Sequence, residues 1–113
     1  MTQVVAGDVT FGDGKHLALI AGPCVIESER HAIATAEAIL SISTRCNCPF
    51  IFKASFDKGN RTSIRSYRGP GLEEGLRILN RVKNELGVPI LTDIHECNQA
   101  KPVAEIADVI QIP

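Results

Sequence analysis

The feature that most constrains the fold is a regular alternation of short apolar runs with longer segments of helical periodicity. Four apolar runs predict strands at Leu17–Ala21, Pro49–Lys53, Val88–Thr92 and Val109–Ile112. The segments between them predict helices from Ser28 to about Thr44, from Leu72 to Leu86 and from Asn98 to Asp108. The order β-α-β-α-β-α-β implies parallel strands with right-handed crossovers, so the chain is expected to be an α/β protein.

Local signals refine the ends of these elements. Ser28 is an expected helix N-cap, and Gly87 lies just past the second helix. The run Leu17–Ala21 is apolar throughout, which predicts a strand buried on both faces. Ahead of it, Gln3–Val5 and Asp8–Phe11 are β-prone runs with two small residues between them, which predicts a short hairpin.

Two architectures fit this order of elements: an open doubly wound sheet, or the first half of an eight-fold β/α barrel. The absence of a Gly-x-Gly-x-x-Gly motif after the first strand weakens the dinucleotide-binding option. The last predicted strand is followed by no covering helix, so we expect a truncated chain. On the barrel interpretation, residues 1–113 form a single incomplete domain. Residues 1–14 form its N-terminal hairpin, and residues 15–113 form its first four strands and three helices.

Composition excludes several classes of protein. A net charge of −1 argues against a general nucleic-acid binder. No apolar run approaches the roughly 20 residues that a membrane span needs, and the N-terminus lacks a signal-peptide pattern. We therefore expect a cytoplasmic protein without membrane or nucleic-acid partners. The four cysteines are expected to be reduced thiols rather than a disulfide framework.

Cationic residues are concentrated in the basic segment Lys53–Gly71. This segment holds five cations against the single acid Asp57: Lys53, Lys58, Arg61, Arg65 and Arg68. The polar residues Asn60, Thr62 and Ser63 lie among them. Cationic groups beside hydroxyls and free backbone N–H groups suit a phosphate-bearing ligand. The alternative is a solvated basic loop without a ligand.

Polar candidates lie at or just past the carboxyl ends of the predicted strands, where parallel α/β folds build their active sites. They are Cys24, Lys53, Lys58, Asp93, His95 and, within the fourth strand, Gln111. Each has a simpler alternative. Cys24 could be a packed thiol rather than a metal or catalytic group. Asp93 and His95 could cap the third helix instead of acting as a general base or metal ligand.

Five motifs in this chain resemble 3-deoxy-D-manno-octulosonate 8-phosphate synthase. They are AGPCVIES (21–28), FKASFDKGNRTS (52–63), SYRGPGLEEGL (66–76), LTDIHE (91–96) and VIQIP (109–113). The resemblance implies a (β/α)8 barrel enzyme that condenses phosphoenolpyruvate with arabinose 5-phosphate and releases phosphate. The product is a precursor of lipopolysaccharide. The chain matches only the first half of such a barrel, so we expect the chain alone to be inactive. The complete enzyme is expected to be a homo-oligomer, a tetramer.

The resemblance also implies roles for individual residues. Lys53 and Lys58 correspond to lysines on the phosphoenolpyruvate side. Asn60 and Arg61 correspond to contacts with the pentose phosphate. The remaining expected site residues are Thr62 and Ser63 in the same motif, and the pocket residues Asp93, His95 and Gln111 at the strand ends.

Cys24 stands at the position that divides this family into two classes. Cysteine here is typical of the metal-dependent class and asparagine of the metal-independent class. The resemblance therefore implies a divalent transition metal (zinc, iron or manganese) in the complete enzyme, with its other ligands outside this chain. Two alternatives remain: the erythrose 4-phosphate-using synthase of aromatic biosynthesis, whose basic motif has Lys-Pro-Arg where this chain has Asn60–Arg61, and a non-catalytic binding fragment.

Overall fold

A computed structural model describes residues 2–59 and 63–113. The strands are β1 (Val4–Ala6), β2 (Val9–Phe11), β3 (Leu19–Val25), β4 (Phe50–Ser55), β5 (Ile90–Asp93) and β6 (Val109–Gln111). The helices are α1 (Glu29–Arg45), α2 (Leu72–Leu86) and α3 (Ala100–Ala104), and a 3₁₀ turn, Cys97–Gln99, precedes α3. Strands β3-β4-β5-β6 form a four-stranded parallel sheet, and β1 pairs antiparallel with β2. The predicted α/β class with a parallel sheet is confirmed.

The capping signals place the first two helices where they were expected. The Ser28 hydroxyl accepts a hydrogen bond from the backbone N–H of His31 at 3.1 Å, which satisfies a free donor in the first turn of α1. Helix α2 ends at Gly87, whose φ of 67° is the left-handed conformation that glycine adopts without steric cost.

The third helix is much shorter than the predicted span Asn98–Asp108. Helix α3 covers only Ala100–Ala104, because the carbonyl of Val103 accepts the N–H groups of both Ile106 and Ala107 and closes the helix. Asp108 then turns toward β5, where its carboxylate accepts the N–H of Ile90 at 2.8 Å. This hydrogen bond to β5 therefore keeps the last predicted residues, 105–108, from continuing the helix.

The strand expected to be buried on both faces is instead partly exposed. Leu17 is 81% exposed and Ile20 is 41% exposed. This prediction is wrong because β3 lies at the edge of the sheet, with β4 as its neighbour. The strand that is buried along nearly all of its length is β4, which lies between β3 and β5.

Strand β3 is also longer than predicted, because the chain continues through Gly22–Pro23 in extended form. A side chain at Gly22 would place its Cβ 1.6 Å from the carbonyl oxygen of Lys53, so only glycine allows this approach of the two strands. The register of the β3–β4 pair shifts between Ala21 and Cys24.

Two apolar clusters hold the fold together. The larger lies between the sheet and the helices, and its largest buried side chains include Phe52, Phe56 and Leu79. The smaller, the base cluster, is formed by buried Ala6, Val9, Ile51 and Leu91, with Phe11, Ala18 and Val109 packed against it. The base cluster thus joins β1 and β2 to the face of the sheet that the helices do not cover. In the described ranges, no helix has the length and apolar character needed to cross a membrane.

Candidate functional site

The face of the sheet away from the helices changes from apolar to polar along the strands. Ile51 on β4 and Leu91 on β5 belong to the base cluster. Alternate residues of a strand share a face, so Lys53 and Ser55 lie on the same face as Ile51, and Asp93 on the same face as Leu91. Polar groups from two strands therefore converge at the carboxyl end of this face, which we call the polar rim.

Strand β6 adds Gln111 to the polar rim. Gln111 lies two residues after Val109, which packs against the base cluster, and it is in register with Asp93. The carbonyl of Gln111 accepts the N–H of Ile94 at 3.2 Å. Parallel pairing thus places Asp93 and Gln111 side by side at the carboxyl edge, as the sequence predicted. Lys53 is in register with Leu91 and lies two residues before that level on the same face.

Two predicted positions need correction. Lys53 lies inside β4 rather than past its end, because β4 continues to Ser55. Asp93 is the last residue of β5, and only His95 lies beyond it. The polar rim is therefore carried partly on strands, which hold side chains more rigidly than loops do.

The polar rim contains two buried polar atoms without a hydrogen-bond partner among the described residues. They are Ser55 Oγ and Asp93 Oδ1. A buried polar atom that lacks a partner costs about 1–3 kcal/mol, so natural proteins keep such atoms where a ligand or water satisfies them. Thr92, on the opposite face, is also buried, but its hydroxyl donates to the Ala54 carbonyl at 2.7 Å. The unsatisfied polar groups thus belong to the rim.

Ser55 was not among the site residues predicted from the sequence. The signal was available, because Ser55 lies two residues after Lys53 and a strand places such residues on one face. The strand was predicted to end at Lys53, and this error put Ser55 in a loop.

His95 connects β5 to the chain that follows β4. Its Nε2 lies 2.7 Å from the carbonyl oxygen of Asp57 and 3.3 Å from Asp93 Oδ2, and its backbone N–H donates to Gln99 Oε1 at 2.8 Å. A carbonyl oxygen only accepts, so Nε2 carries the proton in this bond. The ring lies beside Gly59, where a Cβ would be 3.6 Å from Nδ1.

The alternative that Asp93 and His95 cap the third helix is wrong. The 3₁₀ turn before α3 has Glu96 as its N-cap, in a reciprocal capping box with Gln99. The side chains of Asp93 and His95 therefore do not cap this turn.

The basic loop, residues 56–71, leaves β4 and returns to α2. Its two ends are held together by backbone hydrogen bonds, from Lys58 N–H to the Arg68 carbonyl at 2.6 Å and from Gly71 N–H to the Phe56 carbonyl at 3.0 Å. The Arg68 guanidinium donates to both oxygens of Asp57, at 2.5 and 3.2 Å. Hydrogen bonding to this carboxylate raises the pKa of Arg68 further above its ordinary value. One cation of the basic segment thus has a partner within the loop.

The predicted site residues of the basic loop differ in how the structure places them. Asn60, Arg61 and Thr62 lie outside the described residues. Lys58 is half-buried at the base of the loop, whereas Ser63 is exposed and its hydroxyl accepts the N–H of Arg65 at 3.2 Å. Lys58 therefore follows directly on the residue whose carbonyl contacts His95, whereas the Ser63 hydroxyl is bonded within the exposed part of the loop.

Cys24 lies within β3, not past its end, and it is in register with Ala54 of β4. Cys24 is exposed, so it is not packed against the residues that the structure describes. Its φ of 71° is unusual for a residue with a side chain, and such backbone strain is concentrated at functional sites. In the part of the chain that the structure describes, no three His, Cys, Asp or Glu side chains are grouped so as to hold a metal ion. Cys24 alone could supply only one donor, so a metal site at this position would need others.

The fold and the polar rim define a class of protein: an α/β chain with a polar site at the carboxyl edge of a parallel sheet. A family model described as DAHP synthetase I family matches residues 1–113. The chain belongs to this family.

Curated relatives confirm the resemblance seen in the motifs. A 2-dehydro-3-deoxyphosphooctonate aldolase from Citrifermentans bemidjiense is 53% identical over 98% of this chain and 41% of its own length. Proteins of the same name from Synechococcus sp. and Trichlorobacter lovleyi are 60% and 54% identical, over 92% and 98% of this chain. The chain spans 37% of the Synechococcus protein and 41% of the Trichlorobacter protein.

Proposed function

We propose that this chain is the part of an enzyme that condenses phosphoenolpyruvate with arabinose 5-phosphate to 3-deoxy-D-manno-octulosonate 8-phosphate and phosphate. The name 2-dehydro-3-deoxyphosphooctonate aldolase, carried by the relatives, describes the same product class. The observation that carries the proposal is the pairing of Asp93 with Gln111 at the carboxyl edge of the sheet, on the face that also carries Lys53 and beside a loop rich in cations.

The negative charge of the proposed substrates explains why a site at the polar rim needs cationic residues. Phosphoenolpyruvate and the sugar phosphate are both anions, and cations in a partly buried site offset their charge more effectively than water does. Lys53 is half-buried on β4 and Lys58 is half-buried at the base of the basic loop. We assign these lysines to phosphoenolpyruvate, and we assign Asn60, Arg61, Thr62 and Ser63 to the sugar phosphate by resemblance.

The reaction needs acceptors and donors as well as cations. C3 of phosphoenolpyruvate attacks the aldehyde, water adds at C2, and the resulting hemiketal phosphate loses phosphate. Asp93 Oδ1 and Ser55 Oγ, which lack partners among the described residues, suit hydroxyl groups or water at this site. His95, with its proton held on Nε2 by the Asp57 carbonyl, keeps Nδ1 as an acceptor, and Gln111 can donate and accept.

We extend the proposal to the architecture. The parallel order β3-β4-β5-β6, with helices on one face and β1–β2 closing the amino end of the other, is compatible with the first half of a (β/α)8 barrel. A barrel would also cover the exposed face of β3. The remaining strands, and a homotetramer, are part of this proposal.

The metal remains a proposal based on Cys24. A divalent transition metal such as zinc, iron or manganese would find a soft thiolate ligand there and would polarise or orient a substrate oxygen. The described residues supply this single donor. The test is a substitution: Cys24→Asn should leave some turnover that is insensitive to a strong chelator, whereas the parent should lose turnover and contain stoichiometric metal. A parent without metal and indifferent to the chelator would disprove it.

The proposed activity is tested in a full-length protein that carries this sequence. Such a protein can be made by exchanging this chain for the 111 matched residues of the Citrifermentans bemidjiense relative. We expect phosphate release from phosphoenolpyruvate with arabinose 5-phosphate and much less with erythrose 4-phosphate. The isolated chain should show no turnover. A folded chimaera that prefers erythrose 4-phosphate would support the alternative synthase, and one that uses neither sugar would support a non-catalytic chain.

A further inference from the structure

The two ends of the basic loop are joined by one ion pair with fork geometry. Arg68 Nε and Nη2 donate to Asp57 Oδ1 and Oδ2, and the backbone of Lys58 donates to the Arg68 carbonyl. The Arg68 side chain is 57% exposed and that of Asp57 is 21% exposed. Exposed ion pairs contribute little to global stability, whereas a two-bond guanidinium–carboxylate pair strongly restricts geometry. The pair is therefore better suited to positioning than to holding the fold together.

Asp57 also connects the basic loop to β5. Its carboxylate binds Arg68, while its carbonyl accepts a hydrogen bond from His95 Nε2 at 2.7 Å. Because the carbonyl only accepts, this bond selects the His95 tautomer with the proton on Nε2. The Nδ1 atom then lies toward Gly59, the last described residue before the motif Asn60–Arg61.

We infer that Asp57 and Arg68 form a positioning clasp for the active site, acting through Lys58 and His95 rather than by touching substrate. Arg68 belongs to the basic segment by sequence, but its guanidinium is directed to Asp57 and is not a phosphate ligand. The clasp holds Lys58 at the base of the loop and holds His95 in one tautomer. This inference rests on the proposed function for its kinetic consequences only.

The clasp is tested by reversing its charges in the full-length chimaera. Arg68→Ala and Asp57→Asn are each expected to lower kcat/KM for phosphoenolpyruvate by about tenfold or more, because small displacements of positioned groups are costly. The double variant Asp57→Arg with Arg68→Asp restores the ion pair and should recover most of this loss. A direct phosphate ligand would not be rescued by an aspartate at position 68.

Two measurements report on the Asp57–Arg68 clasp without requiring enzyme turnover. Nitrogen-15 spectra of the histidine ring, assigned with His95→Gln, should show the Nε2-protonated tautomer in the parent and a mixture in Arg68→Ala. Mass spectrometry after brief trypsin treatment should show faster cleavage after Lys58 or Arg65 in both single variants and near-parent cleavage in the reversed pair. Arg81→Ala, which breaks ion pairs with Glu85 on α2 and Glu29 on α1, is the control and should change none of these readouts.

The outcomes separate the clasp from the proposed function. Loss of turnover in Arg68→Ala without rescue, with the His95 spectrum and loop cleavage unchanged, overturns the clasp and makes Arg68 a substrate ligand. A parent chimaera that is folded but inactive contradicts the proposed function, while the spectra and the cleavage rates still decide whether the clasp exists.

Discussion

The two ends of the uncovered sheet face differ in how completely their side chains are satisfied. At the amino end, Ile51 and Leu91 are buried against β1 and β2 in the base cluster. At the carboxyl end, Ser55 and Asp93 are equally buried, but one polar atom of each lacks a partner among the described residues. The same two strands thus supply packing at one end and unsatisfied hydrogen-bonding groups at the other. Because packing and unsatisfied polar groups lie at opposite ends of the strands, substitutions can perturb each end alone.

The largest expected effect is on stability at the amino end. Ile51 is fully buried, and Ile51→Ala should lower the free energy of unfolding by about 2–5 kcal/mol through lost burial and a cavity. Denaturant titration of the full-length chimaera measures this. Ile42→Ala, on the exposed side of α1, is the control and should stay within about 0.5 kcal/mol. An equal loss in both variants would mean that the base cluster does not hold the fold.

At the carboxyl end the largest effect should be on turnover. Lys53→Met removes a cation from the polar rim and should cost about 2–4 kcal/mol of transition-state stabilisation, which is roughly thirty- to thousand-fold in kcat/KM for phosphoenolpyruvate. The unfolding free energy should change little. Lys101→Met, an exposed residue of α3, is the control. Unchanged kinetics for Lys53→Met would remove Lys53 from the site.

A smaller effect is expected from the buried serine. Ser55→Ala should leave the free energy of unfolding within about 1 kcal/mol of the parent, because its hydroxyl lacks a protein partner among the described residues. Loss of one hydrogen bond to substrate or water should lower kcat/KM by about three- to tenfold. Thr92→Val is the contrast, because it removes a buried hydroxyl that donates to Ala54 and should be destabilising without a direct kinetic effect. A Ser55→Ala variant as destabilised as Thr92→Val would show that Ser55 is structural.

The smallest effect concerns the turn between β2 and β3. Asp13 accepts hydrogen bonds from the backbone N–H groups of Lys15 and His16, at 2.8 and 3.0 Å, and these lower the pKa of Asp13 from 3.8 to about 2. Because the pKa is lower in the folded state, this stabilisation is present above pH 3.8 and is lost as the pH falls toward 2. NMR titration of the carboxyl group measures the pKa directly. Asp13→Asn should flatten the acid side of the stability profile, and a normal Asp13 pKa would contradict the turn geometry.

Local signals predicted the elements whose ends are set by local chemistry. Ser28 and Gly87 marked the start of α1 and the end of α2, because capping depends on a few neighbouring residues. The alternation of strands and helices predicted the parallel sheet, and with it the meeting of Asp93 and Gln111 at one edge. The motifs predicted the family.

The remaining features depended on contacts between distant parts of the chain. The extension of β3 to Val25 required Gly22 to meet Lys53 of β4, and the shortening of the third helix required Asp108 to reach Ile90. Neither contact has a local signature, so the predicted ends of these elements were wrong.

Sequence alone therefore determined the class of fold and the family, because periodicity, caps and motifs are properties of short segments. The tertiary structure decided which polar groups are satisfied. The Ser55 hydroxyl has no partner among residues 2–59 and 63–113, whereas that of Thr92 donates to the Ala54 carbonyl and Arg68 pairs with Asp57 across the basic loop. Hydrogen-bond partners are chosen by proximity in space, and proximity in space exists only once the strands have paired.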